Sequence, residues 1–117
     1  MPPSLVAELS NTNSLAEEIQ KSFPESKVVK TLNTMPAGLM VNPGMVNKGD
    51  HTNFICGNDP EAKEKVKSLL KEFGWRSENI LDLGVITSAR GTEAILLLWV
   101  GIMGTKPTGA FNFKIVS

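Results

Sequence analysis

Residues Asn53 to Gly84 read NFICGNDPEAKEKVKSLLKEFGWRSENILDLG, and this stretch decides the fold. Residues 53–57 hold an unbroken apolar run, Phe54-Ile55-Cys56, as a short buried strand would. Asp59 then stands where an N-cap belongs. Pro60 suits the first helical position because the N–H it lacks would be unpaired there anyway, and Glu61 favours the positive end of the dipole. Ala62, Val66, Leu69, Leu70 and Phe73 fall on one stripe and Gly74 can end the helix, so the spacing predicts a helix over 60–73. The lysines at 63, 65, 67 and 71 alternate with glutamates and read as a solvated face rather than a phosphate-binding surface. Residues 80–84 return as a strand, and strand, helix, strand predicts a parallel pair with a right-handed crossover.

On the N-terminal side, Ser14 and Glu17 have the S-x-x-E spacing of a capping box, in which each side chain satisfies the other residue's backbone N–H. Leu15, Ile19 and Phe23 lie four apart and Pro24 stops the chain, predicting a helix over 14–23. Lys27 to Asn33 reads as a strand leading into the turn NTMPAG. Residues 35–50, broken by Pro43, Gly44 and Gly49, read as a helical turn or two and irregular loop.

On the C-terminal side, an apolar helix is expected from Ser88 to about Met103, and its all-round hydrophobicity from Ala94 to Val100 predicts burial on more than one side. Gly101 and Gly104 permit a close neighbour or end the helix. Its most apolar part, Ala94 to Met103, would span ~15 Å against a hydrocarbon thickness of ~30 Å, which favours a core or interface helix over a membrane span. Residues 111–117, FNFKIVS, alternate as a half-buried strand would. The expected fold class is α/β: partial Rossmann-like, with a mainly parallel sheet, flanking helices and a C-terminal strand able to add antiparallel.

At 117 residues the chain fits one domain over 1–117, without internal repeats or low-complexity linkers. Twelve basic residues balance twelve acidic ones, so overall charge draws it neither to nucleic acid nor to an anionic membrane. The N-terminus lacks the pattern of a secretory signal. A single cysteine excludes an internal disulfide and fits a reducing compartment, so a cytoplasmic location is expected.

The candidate chemistry is sparse. His51, the sole histidine, with Cys56 five residues on, lacks the ligand count of a zinc site and reads as a surface-loop residue, and no metal site is expected. Cys56 reads as core packing. Ser88, Arg90, Thr92 and Glu93 at the start of the apolar helix fit an anion site, or equally a structural set in which Ser88 or Thr87 caps the helix and Arg90 pairs with Glu93. Asn33, Thr34 and Met35 follow a predicted strand at its carboxyl end, where open α/β sheets bind ligands, though an ordinary turn gives the same pattern.

Taken together, SNTNSLAEEIQKSFP, VVKTLNTM, FICGND, AKEKVKSLLKEFGW, ILDLG, ARGTE and FNFKIV resemble, in order, the C-terminal half of NADP oxidoreductases related to the 8-hydroxy-5-deazaflavin-dependent NADP reductases. The resemblance implies a Rossmann-like dinucleotide-binding fold and hydride transfer between NADP(H) and an acceptor such as a deazaflavin, a flavin or ferric iron. It places Asn33, Thr34 and Met35 near the nicotinamide. The catalytic residues stay unassigned. No pair of the ten glycines has the spacing that opens G-x-G-x-x-G, so the pyrophosphate-binding half is expected elsewhere. The family's NTMNA is NTMPA here, with Pro36; its DLGDI is DLGVI, with Val85; and Gly101 stands for an arginine. Two partners are therefore expected as alternatives: a complementary glycine-rich half, or a second copy in a homodimer. A non-enzymatic remnant or self-associating α/β module is the competing reading of function.

Overall fold

The computed structural model describes residues 12–106 and 110–117. The first residues of the SNTNSLAEEIQKSFP block, Ser10 and Asn11, and the N-terminus read for a secretory signal lie outside them. Eight elements follow in order: helix α1 (Leu15–Ser22), strand β1 (Val29–Thr31), helix α2 (Ala37–Val41), strand β2 (Asn53–Gly57), helix α3 (Pro60–Glu72), strand β3 (Ile80–Asp82), and helices α4 (Ala89–Ala94) and α5 (Leu96–Thr105). The architecture is α/β, a small sheet flanked by helices.

Strand β2 is central, in the order β1-β2-β3. It runs parallel to β3, pairing Asn53 with Ile80 and Ile55 with Asp82, and its ladder is carried on by Leu83 N to Ile55 O at 2.8 Å and Gly57 N to Gly84 O at 2.9 Å. Helix α3 is the crossover that parallel pairing requires. Its start and stop follow the sequence: Asp59 accepts from Ala62 N at 2.8 Å, Pro60 opens it, and Gly74, at φ +106°, turns the chain away. Strand β1 pairs with β2 antiparallel, Val29 against Gly57 and Thr31 against Ile55, so the parallel arrangement holds on one side only. The physical reason is the connection. Between β1 and β2 lie the short α2 and tight turns at Pro43–Met45 and Asn47–Gly49, with no crossover helix. The two backbones also meet closely at Gly57, where a Cβ would stand 2.8 Å from Val28 O.

Two apolar clusters form the core. Ala16, Cys56, Ile86 and Ala89 join α1, β2 and α4; Met35, Leu39, Leu70 and Trp75 join α2 and α3 to the loop after β1. Several expected faces are open instead. Leu15, Ile19 and Phe23 of α1 are exposed, as is Leu69 of α3, and α5 buries none of its residues despite being the most apolar element. The apolar segment breaks at Ile95, and α5 continues past Gly101 and Gly104, neither of which has a neighbour at its Cβ position. Residues 86–105 are long and apolar enough to cross a membrane by length and composition. Their polar half is nonetheless docked on α1 and β1 by the ion pairs described below.

The strand expected over 111–117 is absent. Residues 110–117 lie beside residues 50–52, joined by the backbone bond from Thr52 N to Phe113 O at 2.8 Å, while Thr52 meets Ile115 N through its hydroxyl (2.9 Å). That segment also covers His51, which is 2% exposed and not a surface residue.

Candidate functional site

A cleft of about 170 Å³ opens between the loop after β1 and the start of α5, lined by Asn33, Met35, Pro36, Ile95, Leu96 and Trp99. Local sequence builds its first wall. Leu32 sits at φ +67°, a left-handed conformation that a bulky side chain adopts only when held. The holder is Asn53, fully buried in β2: its Oδ1 accepts from Leu32 N at 3.3 Å and from Thr31 Oγ1 at 3.1 Å. The bend stops β1 and turns the Asn33-Thr34-Met35 loop out of the sheet. Pro36 then stands as the N-cap of α2, at φ −69°.

The three loop residues differ in setting. Asn33 is exposed at the rim, and its Nδ2 donates to Thr92 O at 2.8 Å, a carbonyl of the last turn before the break at Ile95. Met35 lines the cleft from the core side and packs with Leu39, Leu70 and Trp75. Thr34 is 2% exposed, and its hydroxyl has no hydrogen-bond partner among the described residues. Across the cleft, Trp99 Nε1 is likewise buried and unpaired, while its ring stacks on Phe111 with centroids 5.2 Å apart. Of these two unpaired atoms, the Trp99 Nε1 belongs to a residue of the cleft lining, and the Thr34 hydroxyl to the loop residue between Asn33 and Met35, which does not line it; each carries a desolvation cost of about 1–3 kcal/mol. Sequence reading missed Trp99 and Ile95, because helix periodicity cannot tell a cleft wall from a core position.

The ARGTE hinge resolves into a structural set with different partners from those expected. Arg90 grips Glu17 at both oxygens (Nε to Oε2 2.9 Å, Nη2 to Oε1 2.8 Å). This contact with Arg90 holds the Glu17 carboxyl below its ordinary range in spite of burial. Ser14 still caps α1, accepting from Glu17 N at 3.2 Å, but Glu17 answers through the Ser14 hydroxyl (2.8 Å) rather than its backbone. Glu93 takes up backbone N–H groups of the α1 start instead, accepting from Leu15 N at 2.6 Å and Ala16 N at 3.0 Å, and lies 3.5 Å from Lys30. The anion at this helix start is the protein's own. Neither Ser88 nor Thr87 caps the following helix; Ser88 Oγ donates to Leu83 O at 2.8 Å.

Other polar groups are also spent internally. Lys63 is buried, contrary to a solvated face, and reaches Asp82 at 3.0 Å and Gly84 O at 3.2 Å; Lys67 approaches Asp82 at 3.4 Å. Burial pushes the Asp82 carboxyl up, but Gly84 N–H and the two lysines outweigh it and leave it below its ordinary value. Burial pushes the Cys56 thiol up, which fits an inert packing residue. No group of three or more potential metal ligands occurs among the described residues. A larger depression of about 390 Å³, lined by Gln20, Lys21, Pro24, Ser26, Lys27, Asn58 and Asp59, is open to solvent. Its amides and acid are occupied: Gln20 holds Ser26 O and Val28 N, Asn58 holds Ile86 N, and Asp59 caps α3.

No family profile matches the chain. Among curated proteins it is 34% identical over 96 residues to Metalloreductase STEAP3 of Rattus norvegicus, covering 81% of the chain and 18% of that protein. It is 33% identical over 90 residues to the F420-dependent NADP reductase of Methanocaldococcus jannaschii, covering 76% of the chain and 38% of the relative. A crystal structure from Arthrobacter sp. FB24, described as a candidate F420-dependent NADP reductase, superposes with a TM-score of 0.93 at 52% identity, covering 100% of the chain and 51% of that structure. In sequence and in fold the chain is a homologue of the F420-dependent NADP reductases, and it spans about half the length of the solved structure it matches.

Proposed function

We propose that this chain is the C-terminal, acceptor-side portion of an NADP-dependent oxidoreductase, folding as one domain over 1–117 and working in the cytoplasm. The single observation behind this reading is the cleft between the Asn33–Pro36 loop and Trp99, whose apolar walls, with the Asn33 carboxamide at the rim, suit a flat heterocycle with polar edges. Bound NADPH would supply hydride from its dihydronicotinamide ring. Asn33, Thr34 and Met35 would hold that ring: Met35 offers an apolar face, Thr34 a hydroxyl that no described residue satisfies, and Asn33 a carboxamide fixed at the rim by Thr92. Water exclusion falls to Pro36, Ile95, Leu96 and Trp99.

The residues fit the nicotinamide end and not the phosphates. The glycine-rich turn is absent from the sequence, and Lys30, Lys63, Lys67 and Arg90 are each paired with an acid of the same chain. At about 170 Å³ the cleft also falls short of a whole cofactor site. A complementary glycine-rich half would complete it and cover exposed α5. Relatives are named for F420 and for metal reduction, so a deazaflavin, a flavin or ferric iron is the acceptor class.

Isothermal titration with NADPH tests this reading. Binding weaker than about 0.1 mM is expected for the chain alone, and tight binding once a glycine-rich half is supplied. Tight binding by the chain alone would remove the need for a second half; none in the mixture would sink the reading. The competing reading, a self-associating module without activity, is favoured by the bare face of α5. Sedimentation equilibrium separates the two, since a strict monomer argues against self-association.

A further inference from the structure

His51 has both ring nitrogens engaged. Nε2 lies 2.8 Å from Pro43 O, and Nδ1 lies 2.7 Å from Asn112 Nδ2. These partners fix the proton. A carbonyl oxygen only accepts, so Nε2 carries the hydrogen. The Asn112 amide is oriented independently, because its Nδ2 also lies 3.0 Å from Thr52 O, another pure acceptor. Its second hydrogen is therefore directed at Nδ1, which must present a lone pair. A proton arriving on Nδ1 would meet an N–H group. Asn112 Oδ1, the atom able to accept that proton, is buried without a partner among the described residues; rotating the amide would bring it round, but would set oxygen against Thr52 O.

Asn112 belongs to the segment 110–117, which is fastened to residues 50–52 by Thr52 N to Phe113 O, by Ile115 N to Thr52 Oγ1, and by Lys114 to Asp50. At the start of this strap Phe111 stacks on Trp99, a wall of the cleft. The histidine therefore holds the strap, and the strap backs the wall.

We propose that His51 and Asn112 form a proton-gated latch: with His51 neutral the strap is closed and Trp99 is held at the cleft, and protonation of His51 breaks the Asn112 contact and frees Trp99. Asn112 is thus a positioning residue, acting through Phe111 and Trp99. The consequence for ligand binding rests on the hydride-transfer reading of the cleft, whereas the latch itself does not. The ring packs edge-on to Trp75, and the charged groups of the surrounding turns are Asp50, Lys48, Arg76 and Lys114. Lys114 and Asn79 hold the Asp50 carboxyl below its ordinary range, so this second fastening stays charged over the range in which histidines titrate.

The chain's two indole N–H groups report the latch separately, because Trp75 donates to Met40 O at 2.9 Å and the Trp99 indole N–H has no partner among the described residues. Their ¹⁵N-resolved NMR resonances are followed from about pH 8 to about pH 5. The Trp99 resonance is expected to move as pH falls. That movement should vanish in His51→Gln, which keeps a donor for Pro43 O and takes no proton. In Asn112→Ala, Trp99 should sit near its acid position throughout. A Trp99 resonance that stays still in the natural chain, or moves equally in His51→Gln, overturns the latch. If His51→Gln fails to fold, Asn112→Ala decides: an undiminished pH response there overturns it. NADPH at millimolar concentration then tests the link. Binding that weakens about tenfold at low pH in the natural chain, but not in Asn112→Ala, supports it, and pH-independent binding overturns it. Absence of binding at every pH with a glycine-rich half supplied, and with the Trp99 titration intact, removes the hydride-transfer reading and leaves the latch standing.

Discussion

Helices α3 and α5 make a direct comparison. The first is mostly charged, carries its own cap and stop, and anchors the core through Leu70, 1% exposed. The second is nearly all apolar, has no side-chain cap, and leaves Leu96, Leu97 and Leu98 at 42%, 51% and 56% exposure. Hydrophobicity measures the need for a cover, and burial measures whether this chain supplies one. Helix α3 is completed within the chain, whereas α5 is held from its first half, through the α4 ion pairs ahead of it and the Trp99–Phe111 stack.

Substitutions can break that contrast. Leu70→Ala should cost about 2–5 kcal/mol in urea unfolding, because the cavity would open where Met35, Leu39 and Trp75 meet. A cost below 1 kcal/mol would mean that α3 is not the anchor. Asp59→Ala removes the α3 cap and should cost about 1 kcal/mol by the same measurement. Glu17→Gln acts on the tether of α4. Because Arg90 depresses the Glu17 carboxyl, the unfolded chain takes up a proton there first; the stabilisation is present above the ordinary Glu range near ~4.3 and is lost as pH falls through the lower folded value. Glu17→Gln should flatten the acid limb of a stability-versus-pH curve, and an unchanged limb would refute the tether. Smallest in stability, Leu97→Lys with Leu98→Lys should stay within about 0.5 kcal/mol of the natural chain while reducing self-association in sedimentation. A loss of several degrees in Tm instead would show that α5 is covered within the chain.

What the sequence made legible was local. Asp59, Pro60 and Gly74 mark α3 almost to the residue, Ser14 marks the start of α1, and Phe54-Ile55-Cys56 marks β2. The Asn33 loop could also be placed, since a strand followed by Asn and Pro declares its end. What stayed hidden was pairing over distance. Glu93 spends its charge on the start of α1, Arg90 crosses to Glu17, and His51 is buried by a segment about sixty residues later in the chain. Spacing rules see neighbours three and four apart, so they paired Arg90 with Glu93 and left His51 in solvent. The antiparallel turn of β1 had the same origin, because a connection of short turns leaves no periodic signature.

The Glu93 contact with Leu15 also sets an order of events. It spans 78 residues, and the other contacts that hold α1, Arg90 on Glu17 and Ala16 against Cys56, Ile86 and Ala89, also reach far along the chain, while Leu15 and Ile19 face outward. Closing so long a loop is slow compared with winding α3 onto β2 and β3, so α1 should join the folded body late and leave it first. In native-state hydrogen exchange the amides of Leu15 and Ala16 would then open together with α4, well before those of β2.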